Sequence, residues 1–225
     1  MANPNAPDGI NVSFRHGAAL LEGSVQLFPG TRAVVMMLPD GTAGRRAPDA
    51  SFLESAMNRA GFATLTFGAL TASEEAQDAR DFRYRFDVDL LVGRTVAAVD
   101  FITTFRQTTG LPLGLLGIGI GASAALGAAA QRPDLPRAVV SVRGRTDMAW
   151  SSLARVQVPT LLVVGEKDTR SAVLNEMAAR AIPGETSYVV IPGAGRYLDE
   201  VGALQAVADL ASSWFERHLV PVPVG

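Results

Sequence analysis

A chain of 225 residues in which 48% are hydrophobic is long enough to bury the core of one globular domain. Its formal net charge of −2 supplies no basic field for nucleic acid, and the absence of cysteine excludes disulfides, thiolate metal ligands and a cysteine nucleophile. Residues 1–9 lack a signal-peptide pattern, and no apolar run reaches the ~18–20 residues that cross a bilayer. We therefore expect a cytoplasmic protein with no membrane span.

The hydrophobic pattern predicts strands and helices that alternate along the chain. First come a hairpin with strands at 12–16 and 19–28, a strand at 32–38, a helix at 50–60 and a strand at 62–67. The polar segment 71–85 is predicted as a loop with a helical turn or two. The rest is predicted as strands at 113–117, 138–142, 160–164 and 186–191 and helices at 88–107, 121–131, 171–181 and 200–219. This alternation favours an α/β fold, with a mostly parallel central sheet and helices on both faces.

The most informative segment joins the strand at 113–117 to the helix at 121–131. Gly117, Gly119 and Gly121 reproduce the frame of a nucleophile elbow, G-x-S-x-G, a sharp turn that exposes a serine hydroxyl. Glycine stands at the apex of this elbow. The turn therefore has the pattern of a hydrolase but no side chain that could attack a substrate.

The order of several motifs resembles that of α/β-hydrolases of the dienelactone hydrolase-like branch, over residues 10–219. Besides the elbow, the matching segments are the small-residue helix 122–130, Arg85-Phe86-Asp87, Arg132-Pro133-Asp134, 158–165 with Asp168 just beyond, and 191–194. The resemblance implies the α/β-hydrolase fold in a single domain at 10–219. Residues 1–9 are then expected to form a flexible N-terminus and residues 220–225 a C-terminal tail.

The resemblance also assigns four catalytic checkpoints, of which three have changed. The nucleophile position falls on Gly119 and the histidine position on Arg196. The His-Gly dipeptide that shapes the oxyanion site falls on Pro39 and Asp40, and only the acid, Asp168, is retained. Arginine cannot act as a base because its guanidinium stays protonated. We therefore predict a catalytically degenerate homologue, a pseudoenzyme, in which Arg196 forms an ion pair with Asp168 in place of the acid–histidine contact.

An active enzyme is the alternative, and it would need a relocated nucleophile. The sequence Gly121-Ala122-Ser123-Ala124-Ala125 offers Ser123 to a carboxylic-ester hydrolase, although alanine replaces the closing glycine of an elbow. The simpler interpretation is that Ser123 bonds to a neighbouring group one turn into the helix. His16 and His218 are the two histidines, and a structural or solvated position is the ordinary expectation for both.

Cofactor and metal sites are not expected. Residues 117–122 also fit the dinucleotide fingerprint G-x-G-x-x-A, but the strand that follows ends without the acidic residue that binds a ribose. The two histidines are too far apart in sequence to suggest a metal site.

The carboxyl ends of parallel strands form a rim where open α/β sheets bind ligands. The residues expected there are Pro39, Asp40, Gly119, Ile120, Arg45, Arg46, Arg143, Arg145 and Arg196. The N–H groups at the start of the helix after the elbow add positive potential. We expect a pocket for an anionic small molecule, or for a protein partner's carboxylate, in a binding or assembly subunit that forms homo- or hetero-oligomers. A non-covalent catalyst in the same pocket is a further alternative.

Overall fold

A computed structural model describes residues 8–40 and 47–220 of the chain. Its centre is an eight-stranded sheet in the order β1-β2-β4-β3-β5-β6-β7-β8. The strands are β1 Asp8–His16, β2 Ala19–Leu27, β3 Val34–Leu38, β4 Ala63–Phe67, β5 Leu113–Ile118, β6 Pro136–Val142, β7 Thr160–Gly165 and β8 Thr186–Ile191. Strands β1 and β2 form an antiparallel hairpin, β2 pairs antiparallel with β4, and all other pairs are parallel.

Helices cover both faces of the sheet. They are α1 Pro48–Arg59, α2 Ala72–Asp81, α3 Val88–Thr104, α4 Ile120–Gln131, α5 Trp150–Leu153, α6 Thr169–Ala181 and α7 Ala203–Leu219, and a short 3-10 turn, Thr146–Ala149, leads into α5. Helices α3, α4 and α6 pack into one hydrophobic core, and α1 and α7 pack into a second core on the opposite face. The predicted α/β architecture, mostly parallel with helices on both faces, is confirmed.

The central strands form because their side chains are buried on both faces of the sheet. Every residue of β3, β4, β5 and β7 is buried, and for β3 this burial matches its continuous apolar run. Because the sheet is mainly parallel, β3, β4, β5, β6 and β7 end at the same edge. The loops at that edge carry the candidate site.

Helix α2 is longer than the helical turn or two predicted for its segment. Few apolar residues mark it, so its stability comes from polar contacts. Thr71 and Glu74 form a capping box at its N-terminus. The Glu74 carboxylate also accepts hydrogen bonds from both terminal nitrogens of buried Arg94 on α3, at 2.7 and 2.6 Å.

Several predictions concern residues outside this description. They include most of the predicted N-terminal segment, the tail from 221 onward, and the rim arginines Arg45 and Arg46. Strand β1 already begins at Asp8, within the segment predicted as flexible. In the described ranges, no helix is long and apolar enough to cross a membrane.

Candidate functional site: a nucleophile elbow filled by Asp40

The elbow between β5 and α4 keeps its backbone shape although it lacks a nucleophile. Gly119 lies between the two elements with φ 56° and ψ −118°, a positive φ that glycine adopts without steric cost. Its N–H donates to the Val142 carbonyl at 3.0 Å, and its carbonyl accepts from the Arg145 N–H at 3.0 Å. These bonds tie the apex to the end of β6 and to the loop that follows it.

The carboxyl group of Asp40 occupies the place where a side chain at position 119 would lie. A Cβ built on Gly119 would collide with the carboxyl atoms of Asp40. Asp40 stands two residues past the end of β3, and its Oδ1 accepts the Ile120 N–H at 3.1 Å. That N–H belongs to the residue after the nucleophile position, and in an active elbow it is an oxyanion donor. One carboxylate therefore fills both the nucleophile's space and part of the oxyanion site.

Arg143, at the end of β6, holds this carboxylate in place. Its Nη1 lies 2.8 Å from Asp40 Oδ2, and its Nη2 lies 2.6 Å from Asp49 Oδ2. Only 11% of the Arg143 side chain is exposed. Burial opposes the charged guanidinium, but hydrogen bonds and charge from Asp49 and Asp40 outweigh it, so the pKa of Arg143 is raised. The exposed ring of Tyr197 lies beside it, 5.8 Å from the guanidinium carbon.

Arg145, predicted as a ligand-binding residue, is also paired within the chain. Its guanidinium makes two bonds of 2.9 Å to the carboxylate of Asp147. The hydrogen bond to Asp147 is the main cause that raises the pKa of Arg145. Arg196 is exposed, and it forms no ion pair or hydrogen bond with any residue in the ranges 8–40 and 47–220. Within the described part of the rim, Arg143 and Arg145 are neutralised by carboxylates, whereas Arg196 has no such partner.

The predicted ion pair between Arg196 and Asp168 is wrong. Asp168 is the N-cap of α6, and its carboxylate accepts the Ser171 N–H at 3.2 Å and the Ser171 hydroxyl at 2.7 Å. A carboxylate at this position satisfies free N–H groups of the helix and matches the positive end of its dipole. Asp168 therefore has a local structural partner and does not need Arg196.

Ser123 has the structural position that the simpler interpretation predicted. It is fully buried, and its hydroxyl donates to the Arg145 carbonyl at 2.6 Å. His16 packs against Gly93 on α3. The His218 ring lies 4.4 Å from that of Trp214 at the far end of α7, and burial lowers its pKa. These contacts place neither histidine beside Ser123.

A narrow, mainly apolar cavity of about 40 Å³ lies next to the elbow. It is lined by the ends of β3 and β4, by α2 and α3 and by the first turns of α4; the lining residues are Leu38, Pro39, Phe67, Gly68, Ala69, Leu70, Glu75, Arg85, Leu91, Thr95, Ile120, Gly121 and Ala124. The space suits a few water molecules or one short apolar group. Pro39 and Ile120 were predicted from the sequence, whereas the apolar wall carries no signal in the sequence, because its residues come from separate elements.

Comparisons with known proteins agree with this architecture. No family model matches the chain. A crystal structure of a dienelactone hydrolase from Anabaena variabilis is 38% identical and superposes with a TM-score of 0.92, over 95% of this chain and 99% of that one. A dienelactone hydrolase-like promiscuous phosphotriesterase from metagenomic libraries, 17% identical with a TM-score of 0.74 over 95% of this chain and 99% of that one, shares the fold.

Two curated relatives come from strains of Mycobacterium tuberculosis. Each is 40% identical over 195 residues, which is 86% of this chain but 43% of the relative. Their name, given provisionally, is that of a phosphoribosyl transferase. The chain therefore spans less than half the length of the curated relatives it matches.

Proposed function

The chain belongs to the dienelactone hydrolase family of α/β-hydrolases, and on that premise we propose that it binds a small molecule beside the elbow without hydrolysing it. The observation that carries the proposal is the position of Asp40. Its carboxylate lies over Gly119 and accepts the Ile120 N–H. The elbow is retained as a backbone scaffold, while its reactive centre is filled by a group of the chain itself.

The missing chemistry follows from what hydrolysis through an elbow requires. A nucleophile must lose its proton to a base, and the oxyanion that then forms must find free donors. Gly119 supplies no nucleophile, and Arg196 cannot accept a proton. The Ile120 N–H already serves a carboxylate whose negative charge would repel an oxyanion. Each requirement fails independently, so one substitution would not restore turnover.

The cavity beside the elbow supports the binding role. Its walls are mainly apolar, and it lies where ligands of open α/β sheets bind. We propose that it seats a short apolar group of the ligand. The sequence predicted an anionic ligand. Among the rim arginines that the structure describes, Arg143 and Arg145 are committed to carboxylates of the chain, so an anionic group would depend there on displacing Asp40 or on Arg196.

Hydrolysis is tested with short acyl esters such as 4-nitrophenyl acetate. The wild type and the variant Gly119→Ser with Arg196→His should not exceed the buffer rate. Adding Asp40→Ala to that variant frees the Ile120 N–H. It therefore tests whether the carboxylate in the oxyanion site is the remaining obstacle to hydrolysis. Wild-type turnover that Ser123→Ala abolishes would reinstate the relocated nucleophile, and turnover that survives it would show a mechanism outside the elbow.

Binding is tested by ligand-observed NMR with 1-butanol and butyrate, which share an alkyl chain and differ in charge. We expect a signal from 1-butanol that Ala124→Val removes by filling the cavity. Ala128→Val is the matched control, because Ala128 is buried on the same helix but does not line the cavity. Equal 1-butanol signals from the two variants would show that the ligand does not occupy the cavity. Binding of butyrate alone would favour an anionic ligand.

A role in assembly is a second proposal, and it rests on the curated relatives. In each relative, the region that matches this chain makes up less than half of the protein. We propose that the transferase activity in their name resides in the remainder, and that the present domain is its binding partner. Removing the matched region from a relative should leave phosphoribosyl transfer measurable. Loss of transfer from a remainder that still folds, as judged by circular dichroism, would contradict this division.

A further inference from the structure

A second groove lies along α4, away from the elbow. Its volume is about 350 Å³, and it shares no lining residue with the cavity beside Gly119. One wall is formed by the start of α3 and the two residues before it, Phe86 and Asp87. The other wall is formed by the segment 148–152, which includes the first turn of α5. Ser123 and Gly127 of α4 also line it. This size falls within the range of small-molecule sites.

The groove is rich in polar side chains that have no partner among the described residues. Asp89, Gln131, Ser151 and Ser152 line it, and none of their side chains bonds to another residue among those the structure describes. Asp87 also lines it, using one carboxylate oxygen to cap α3 through the Leu90 N–H at 3.0 Å. Donors and acceptors are thus gathered on one surface and are free to bind a ligand.

Two exposed aromatic residues accompany these polar groups. Phe86 lines the groove and is 52% exposed, and Trp150, 51% exposed, stands between the lining residues Ala149 and Ser151. Large aromatic rings are usually buried, as the 7% exposure of Trp214 illustrates. An exposed ring beside polar groups offers a flat apolar surface to the C–H face of a ligand.

The charges narrow the ligand class. Among the residues that the structure describes, the lining includes two carboxylates, Asp87 and Asp89, and no lysine, arginine or histidine, so an anionic ligand would be repelled. We propose that this groove binds a neutral carbohydrate. Sugar hydroxyls can donate to the carboxylates and to the Gln131 carbonyl, and can accept from its amide and from the serines. The apolar face of the sugar ring packs against Phe86.

The test is isothermal titration of the whole chain with D-glucose and maltose, with D-glucosamine and glucose 6-phosphate as charged counterparts. We expect saturable binding of a neutral sugar and at least tenfold weaker binding of the phosphate. The variant Asp89→Ala with Gln131→Ala should weaken sugar binding at least tenfold. Gln205→Ala, an exposed glutamine on α7, should leave it unchanged.

Tryptophan fluorescence gives an independent readout, because Trp150 is exposed and Trp214 is buried. Sugar should change the emission of the wild type, and Trp150→Phe should abolish that change. The proposal is overturned if neither neutral sugar binds, if glucosamine alone binds, or if the double variant binds sugar as tightly as the wild type. All substituted residues are exposed, and circular dichroism verifies that each variant is folded.

Discussion

Substituting Gly119 by alanine tests whether Asp40 fills the elbow. The new Cβ would meet two obstacles. Position 119 has a positive φ with ψ −118°, a region that costs a non-glycine residue about 1–3 kcal/mol. The Cβ would also displace the Asp40 carboxyl, which would lose its contacts to Ile120 and Arg143. Because 39% of the Asp40 side chain is exposed, solvent compensates in part, and we assign this loss about 1 kcal/mol.

The expected total is therefore about 2–4 kcal/mol in the free energy of unfolding. For a chain of this size that corresponds to a fall in Tm of about 5–15 °C. Differential scanning calorimetry measures the shift, and urea unfolding measures the free energy. In the Asp40→Ala background the same glycine substitution should cost about 1 kcal/mol less, because only the backbone strain remains.

Gly17→Ala is the matched control. Gly17 has a similar φ of 57°, but a Cβ there would meet no atom within 4 Å, so only about 1 kcal/mol should be lost. If Gly119→Ala proves no more destabilising than Gly17→Ala, or if its cost is unchanged by Asp40→Ala, Asp40 does not occupy the elbow as described.

Three further predictions concern buried or capping groups. The hydrogen bonds from Arg94 lower the pKa of Glu74 from 4.5 to about 2. The ionised carboxylate therefore contributes about 3 kcal/mol to the free energy of unfolding; this contribution is complete above pH 4.5 and is lost as the pH falls toward 2. Urea unfolding measured across pH should show that Glu74→Gln removes this pH dependence. Parallel curves of the free energy of unfolding against pH for the wild type and the variant would contradict the prediction. Ser123→Ala should leave ester turnover unchanged and cost about 1–2 kcal/mol, because the Arg145 carbonyl loses its buried donor; an unaltered Tm would argue against that bond. Asp168→Ala should remove the α6 cap and lower the free energy of unfolding by about 1 kcal/mol. Equal Tm values for wild type and variant in calorimetry would contradict this role.

The sequence by itself determined the α/β architecture and the shape of the elbow. Continuous apolar runs specify strands buried on both faces, and helical periodicity specifies the helices between them. Gly117 is a local requirement of the turn, since a Cβ there would collide with the backbone of Gly121 and Ala122, whereas a Cβ at Gly121 would collide with the Leu38 carbonyl at the end of β3. The prediction that nucleophile and base are lost likewise rests on the residue types at positions 119 and 196.

Only the tertiary structure decided which charged groups meet. Asp40 reaches Ile120 across 80 positions of sequence, and Arg143 reaches Asp40 across 103. Those contacts depend on β3 and β6 flanking β5 in the sheet, which spacing along the chain does not reveal. Asp168 shows the converse, because its nearby helix cap replaced the distant ion pair that the sequence suggested. A side chain binds the groups that the fold brings within a few ångströms, and the residue type alone does not name them.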